Sequence, residues 1–468
     1  MLMVAPSMAQ NKQVDPIQEQ VSAIIKSGAA DAEKQVQAVA KEQKKNPAGL
    51  VSISKAYLVE KDYANAKVYA EKALELVNKK GTPQEKSSVY LLLGNIAVGQ
   101  DDGGSAASWF QQAIYADKTN PDGYRRYAQI MSKTDPAGAV QTLEDLRAAR
   151  PDYPVDLIAA DIASQAGKMK QAIQYYGKVK LDDMDTYQLS DYATNLFLST
   201  EYQKSLDVAT YGQQKNPRNA SMNRLVMFNQ TSLKNYDAAL VAADKLFNAS
   251  DSAKISSFDE SYYATALQGA KKYNEAIAEY TKLQGLQGVG ADVIADANKS
   301  ISDCYKELGD YGQAGDYYDK YLKSQKSITA YAMSNLASIY LAEANDAKTT
   351  AAMKAEAVSK ADAVYVEMQQ KFPSVADYAV LQRAHLQFVL DPEDKAGKAQ
   401  PYYSELADII NAKAEKGDSE TKKLKEAYNY LQIYYFKIAN DTPKAKEYAA
   451  KLLEIDPNNQ TAKTISGL

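Results

Sequence analysis

A small residue returns along this chain at near-constant intervals: Ala66, Ala106, Ala139, Ala172, Ser205, Ala239, Ala276 and Ala314. Neighbours in the series lie 40, 33, 33, 33, 34, 37 and 38 residues apart. It continues more loosely through Ala361, Ala399 and Ala445. A step of about 34 residues held over a whole chain marks a helical repeat array, because each unit can bury its apolar face only against its neighbours. Such a chain grows as a stack and needs no single closed core.

Within one unit the pattern predicts two helices and a tight turn. In "ANKSISDCYKEL", Ala297, Ile301, Cys304, Tyr305 and Leu308 recur at helical spacing on one face. Gly309 then stops the helix, since a residue without Cβ adopts the left-handed backbone of a helix end. The following "LGDYGQAGDYYDKYL", residues 308–322, carries four tyrosines. Ala314, Tyr317, Tyr318, Tyr321 and Leu322 again fall on a helical face. Ala314 is small because two helices approach closely there; a larger side chain would overpack the crossing, at about 1–3 kcal/mol. The tyrosines supply large buried rings whose hydroxyls reach the surface, and any that stay exposed form a binding patch instead.

These residues resemble the tetratricopeptide repeat. Leu93, Gly94, Ala106, Phe110 and Ala113 match one unit, and Tyr57, Tyr63, Ala66, Ala73 and Leu74 another. Ala445, Leu452, Leu453 and Pro457 match the last, with the proline closing the second helix. The unit "RRYAQIMSKTDPAGAVQTLEDL" departs from the pattern, with a leucine where the second helix should carry an aromatic ring. The units run in register over residues 47–463. The resemblance implies an all-α, right-handed α-solenoid of about ten to eleven helical hairpins. Along the chain we expect a tail or signal remnant at 1–13, a helical pair at 14–46, a regular array at 47–326, and irregular repeats with longer loops at 327–468.

The start, "MLMVAPSMAQNKQ", is similar to the end of a secretory signal, with Ser7, Met8 and Ala9 as small residues around a cleavage point before Gln10. The other reading is a frayed cytosolic terminus. With the heavy use of tyrosine, the first reading resembles exported, periplasmic envelope proteins of Bacteroidetes. No run of about 20 apolar residues is present to span a membrane.

Charge is balanced, with 55 basic and 59 acidic residues and a net charge of −4. That leaves no basic footprint for nucleic acid. Cys304 is the single cysteine, so no internal disulfide can form. It is either a reactive thiol or a small buried hydrophobe. His385 is the single histidine, so a Ser-His-Asp or Cys-His constellation would have to use it. Its helical setting suits an ordinary repeat position. Phosphate-binding loops and His- or Cys-rich metal sets do not occur. We expect no enzyme, no cofactor and no metal.

Function then lies on a surface. In arrays of this kind the first helices line the concave side. The expected register sends Arg125, Arg126, Gln129 and Lys133 inward, then Asp161 and Gln165, Asp191 and Thr194, Arg224 and Phe228, and Tyr262 and Thr265. Lys299, Asp303 and Asn335 follow. The Lys/Asn clamp that some relatives use for a terminal carboxylate is not reproduced. Mixed charge and few aromatics suit an extended peptide or a protein edge. The expected function is a non-catalytic scaffold or adaptor that holds a protein partner in an envelope complex. The alternative is a nutrient-binding protein of the starch-utilisation type, against which stands the single tryptophan, Trp109.

Overall fold

The computed structural model describes residues 15–467, and the apolar start with Ser7, Met8 and Ala9 lies outside them. Among the described residues there are twenty-five α-helices and no strand. The chain divides into two compact units, one ending at Asn229 and the other beginning at Gln230.

The first unit opens with α1 (Pro16–Ser27), α2 (Ala32–Glu42), α3 (Pro47–Val59) and α4 (Tyr63–Lys80). It continues through α5 (Pro83–Gly99), α6 (Gly103–Ala116), α7 (Pro121–Met131), α8 (Pro136–Ala149) and α9 (Val155–Gln165). It closes with α10 (Met169–Tyr176), α11 (Thr186–Leu198), α12 (Tyr202–Lys215) and most of α13 (Ala220–Ser232). The second unit starts with α14 (Tyr236–Asp244), α15 (Ser257–Gly269), α16 (Tyr273–Gln284), α17 (Ala291–Leu308) and α18 (Tyr311–Ser324). Next come α19 (Ala330–Asn345), α20 (Ala351–Lys371), α21 (Ala376–Leu390) and α22 (Gln400–Asn411). Last are α23 (Asp418–Lys437), α24 (Thr442–Ile455) and α25 (Gln460–Ser466).

Local chemistry sets these boundaries. Pro47, Pro83 and Pro121 open α3, α5 and α7, where a fixed φ helps and no N–H is missed. Several second helices are capped by an aspartate whose carboxylate accepts a backbone N–H three residues on. Asp62 accepts from Asn65 at 3.0 Å, Asp102 from Ser105 at 3.0 Å, Asp310 from Gln313 at 3.1 Å and Asp441 from Lys444 at 3.1 Å. The residue just before each of these caps is left-handed: Lys61, Asp101, Gly309 and Asn440. Only one of the four is glycine, so the cap and the crossing beyond it hold a backbone that an L-residue rarely adopts.

The periodic small residues are the crossing points. Ala66, Ala106, Ala139, Ala172, Ser205, Ala239, Ala276, Ala314, Ala361, Ala399 and Ala445 are all fully buried. At three crossings a hydroxyl joins the two helices. Ser54 donates to the carbonyl of Ala66 at 2.6 Å, and Ser302 donates to that of Ala314 at 2.7 Å. Ser205 does the reverse, donating from the second helix to the carbonyl of Ala193 at 2.7 Å. Ala399 is the exception in placement: it caps α22 instead of lying within it, where the repeat step has loosened.

The tyrosines of residues 308–322 are packing elements. Tyr318 is buried, Tyr317 stacks on Tyr305 at 5.7 Å, and Tyr321 leans on Tyr318 at 5.6 Å. Gly309 ends α17 in the left-handed conformation, as its position suggested. Leu308 differs from expectation. It is 42% exposed, because the last residue of the helix has already turned past the seam.

In two units an aromatic residue four places after the small one reaches back to the first helix. Tyr176 meets Asp161 and Tyr280 meets Thr265, both across 15 residues of chain. Phe110 stands in the same register without a hydroxyl, and 15 residues before it the side-chain oxygen of Asn95 is buried with no hydrogen-bond partner among the described residues. Phe110→Tyr should therefore raise the urea midpoint, by about 1 kcal/mol for a newly paired buried acceptor. No gain would separate Asn95 from this register.

Candidate functional site

In the first unit the first helices of successive pairs touch directly: α3 with α5, α5 with α7, α7 with α9, and α9 with α11. They form one layer, and the side chains they do not use for packing share its face.

On α7, Arg125 is half-buried and bound to Asp122 of its own helix at 2.8 Å. Arg126 is also half-buried, and among the described residues it has no ion pair or hydrogen bond. Burial, and then the Arg125 charge beside it, push its pKa down. Gln129 is half-buried, and its carbonyl accepts from Ser132 at 2.8 Å. Lys133 requires a correction: α7 ends at Met131, so Lys133 stands exposed in the turn and not on the helix face.

The strongest grouping lies on α9, α10 and α11. The Tyr176 hydroxyl sits 2.7 Å from Asp161 Oδ1 and 2.8 Å from Asp191 Oδ2. Gln188 approaches Asp161 Oδ2 at 3.4 Å. Tyr176 is fully buried and stacks on Tyr192 at 5.2 Å, so its hydroxyl is fixed between the two acids. Burial pushes the Asp161 carboxyl up to about 6, against the hydrogen bonds from Tyr176 and Gln188, and Asp191 and Asp185 add to the rise. Asp161 and Asp191 were legible as surface positions. Tyr176 was not, although its place four residues after Ala172 was the available signal.

Thr194 turns inward on its own helix, donating to the carbonyl of Ser190 at 2.7 Å. Gln165 is exposed at the end of α9, and Arg224 is half-buried on α13. Phe228 is a second correction: it is only 9% exposed and packs on Phe197 at 5.7 Å, so it belongs to the core.

The remaining residues belong to the second unit. Tyr262 is half-buried on α15, and Thr265 meets the Tyr280 hydroxyl at 3.2 Å. Lys299 lies over the Tyr321 ring at 5.8 Å, Asp303 pairs with Lys306 at 2.5 Å, and Asn335 is half-buried on α19. Cys304 is fully buried, and burial, followed by Asp303 and Glu307, pushes its thiol up to about 12. A thiol held protonated in this way is a packing residue. His385 contacts Glu426 at 2.5 Å, and Tyr403 donates to the same carboxylate oxygen at 2.9 Å. The hydrogen bond from His385 holds Glu426 below the usual carboxylate range.

Residues 295–327 match the family model described as tetratricopeptide repeat. The matched segment is similar to a tetratricopeptide repeat. It contains the Ser302–Ala314 crossing, the left-handed Gly309 and the stacked tyrosines of α18. Solved tetratricopeptide repeat proteins are similar to the chain. One is the C-terminal part of a repeat-containing protein from Cytophaga hutchinsonii, at 22% identity and TM-score 0.38, covering 59% of this chain and 98% of that one. Another, from Parabacteroides merdae, has 14% identity and TM-score 0.34, covering 65% of this chain and 97% of that one. No curated protein matches the sequence. Among the described residues no helix is long and apolar enough to cross a membrane, and no group of three or more His, Cys, Asp or Glu could hold a metal ion.

Proposed function

We propose that this chain is a non-catalytic scaffold of the cell envelope that captures a protein or peptide segment of mixed charge on the first-helix layer of its first unit. The observation that carries this reading is the change of sign between neighbouring helices: the unpaired Arg126 on α7, and Asp161 beside Asp191 on α9 and α11. Opposite charges fixed on adjacent rigid helices select the register and direction of a bound segment more than they add raw affinity. A half-buried guanidinium without a partner is ready to donate to a carboxylate brought by that segment.

The setting of the single tryptophan favours a scaffold over a glycan-binding protein. Trp109 is half-buried and stacked on Tyr90 at 5.8 Å, so one face of its ring is already taken by packing. The reading of an envelope protein draws on the likeness of the first residues to the end of a secretory signal.

The test is capture of a partner from envelope extract by the wild type and by charge-reversed variants. Arg126→Glu should weaken capture about tenfold or more and reduce its salt sensitivity, since a paired charge with a repulsive replacement costs at least 1–2 kcal/mol. The helical spectrum and melting point should stay almost unchanged. Adding Arg125→Glu deepens the loss but also breaks the pair with Asp122, so the single variant is the cleaner comparison. Undiminished capture by Arg126→Glu would remove this face from the proposal.

A further inference from the structure

The contacts of Tyr176 leave one proton unaccounted for. A phenol has a single O–H and can donate to one acceptor only. Its oxygen lies 2.7 Å from one carboxylate and 2.8 Å from another, on two different helices. With both acids ionised, one of these contacts would set a carboxylate lone pair against a phenol lone pair. With one acid protonated, both contacts are hydrogen bonds: the phenol donates to one carboxylate, and the other carboxyl donates to the phenol oxygen. We propose that the Asp161–Tyr176–Asp191 cluster holds one extra proton on Asp161 at mildly acidic pH and gives it up to water as the pH rises, so that this patch of the first-helix layer goes from one negative charge to two.

The geometry allows little escape from this choice. Tyr176 is fully buried and its ring is held against Tyr192, so the hydroxyl cannot swing to solvent. Gln188, at 3.4 Å, is too distant to replace the missing proton. The groups that act most strongly on Asp161 are Tyr176, Gln188, Asp191 and Asp185, none of them a cation. Tyr187 also lies near, in the fields of Asp161, Asp191 and Asp185. Of the cations on the elements around α9, Arg147 and Lys178 pair with Asp156, Arg125 with Asp122 and Lys204 with Glu201, while Lys170 of α10 is exposed and is not among the charges that act most strongly on Asp161. Arg126 of α7 is not among the charges that act most strongly on Asp161.

Burial raises the Asp161 carboxyl to about 6, in agreement with the proton count. The sign follows. A carboxyl whose pKa is raised by folding adds stability that is complete below the ordinary carboxylate range and is lost as the pH rises through about 6. Above that point the two acids repel across the α9–α11 seam. If the first-helix layer is the capture surface, as proposed above, its affinity for acidic segments falls over the same interval. That consequence rests on the scaffold reading; the titration does not.

The experiment is a carbon-13 NMR titration of the side-chain carboxyls in the isolated full chain, labelled at aspartate, from pH 3 to 8. One aspartate should titrate with an apparent midpoint near 6, and its signal should vanish in Asp161→Asn. In Asp191→Asn the Asp161 midpoint should fall, because a like charge that helps to raise it is removed. A wild-type spectrum in which every aspartate titrates below about 4.5 overturns the proposal. The deciding measurement is made on the wild type, so a variant that fails to fold does not remove the test. No partner is present in the tube, so failure here is distinct from failure of the capture experiment.

Discussion

Ala276→Trp should lower the urea midpoint of the second unit by the equivalent of about 3 kcal/mol, at the upper end of overpacking costs. Ala276 is fully buried in a cluster with Ala264, Leu267 and Tyr280, and also with Leu283, Ala297, Ile301 and Cys304. An indole there would have to enter the space these side chains already fill. The control is Ala278→Trp, the same chemical change two residues away on α16, where the side chain is exposed. That variant should stay within about 0.5 kcal/mol of wild type, as surface substitutions do. Equal losses from the two would mean that the crossing is not where the small residues place it. Gln268→Ala is a poorer control than its position on α15 suggests, because Gln268 accepts a hydrogen bond from Tyr280 at 3.0 Å.

Gly94→Ala should cost about 2–3 kcal/mol despite adding only one carbon. A Cβ at Gly94 would stand 2.3 Å from Cε1 and 2.6 Å from Cδ1 of Phe110, a ring only 1% exposed with nowhere to retreat. Gly103→Ala is the contrast: a Cβ there meets nothing within 4 Å, at the first residue of α6. It should be neutral or mildly stabilising. Phe110→Leu introduced into the Gly94→Ala background should recover part of the loss. The recovery is a direct measure of the coupling between the two positions. Strict additivity of the two substitutions would show that the ring is not what the new methyl meets.

The fold was legible because the crossings demand small side chains at a fixed interval, and a chain meets that demand visibly. All eleven small residues picked out by spacing alone are fully buried. The surface was less legible, since helical spacing says which residues share a face but not where a helix ends. Lys133 fell outside α7 because the turn begins at Ser132, and Leu308 escaped the seam of α17 for a similar reason. Phe228 was misplaced for another cause. The neighbouring Phe197 offers it a ring to pack on, and burial of an aromatic face outweighs the position it would otherwise hold. Asp161 was recognised as a surface acid, but its environment was not, because the decisive group comes from the second helix. Spacing within one helix does not report on a hydroxyl that arrives from the next.

The serine bonds at the helix crossings bear on how such a chain is made. Each joins residues only 12 apart, whether the hydroxyl comes from the first helix, as at Ser54 and Ser302, or from the second, as at Ser205. A loop that short closes within tens of nanoseconds, far faster than a ribosome adds a residue. A hairpin can therefore dock on itself while the next is still being synthesised, and each finished pair offers a template to the one emerging behind it. Contacts between distant parts of the sequence are not required to begin. On this account the nascent protein acquires its structure in the order in which it is written, one crossing at a time.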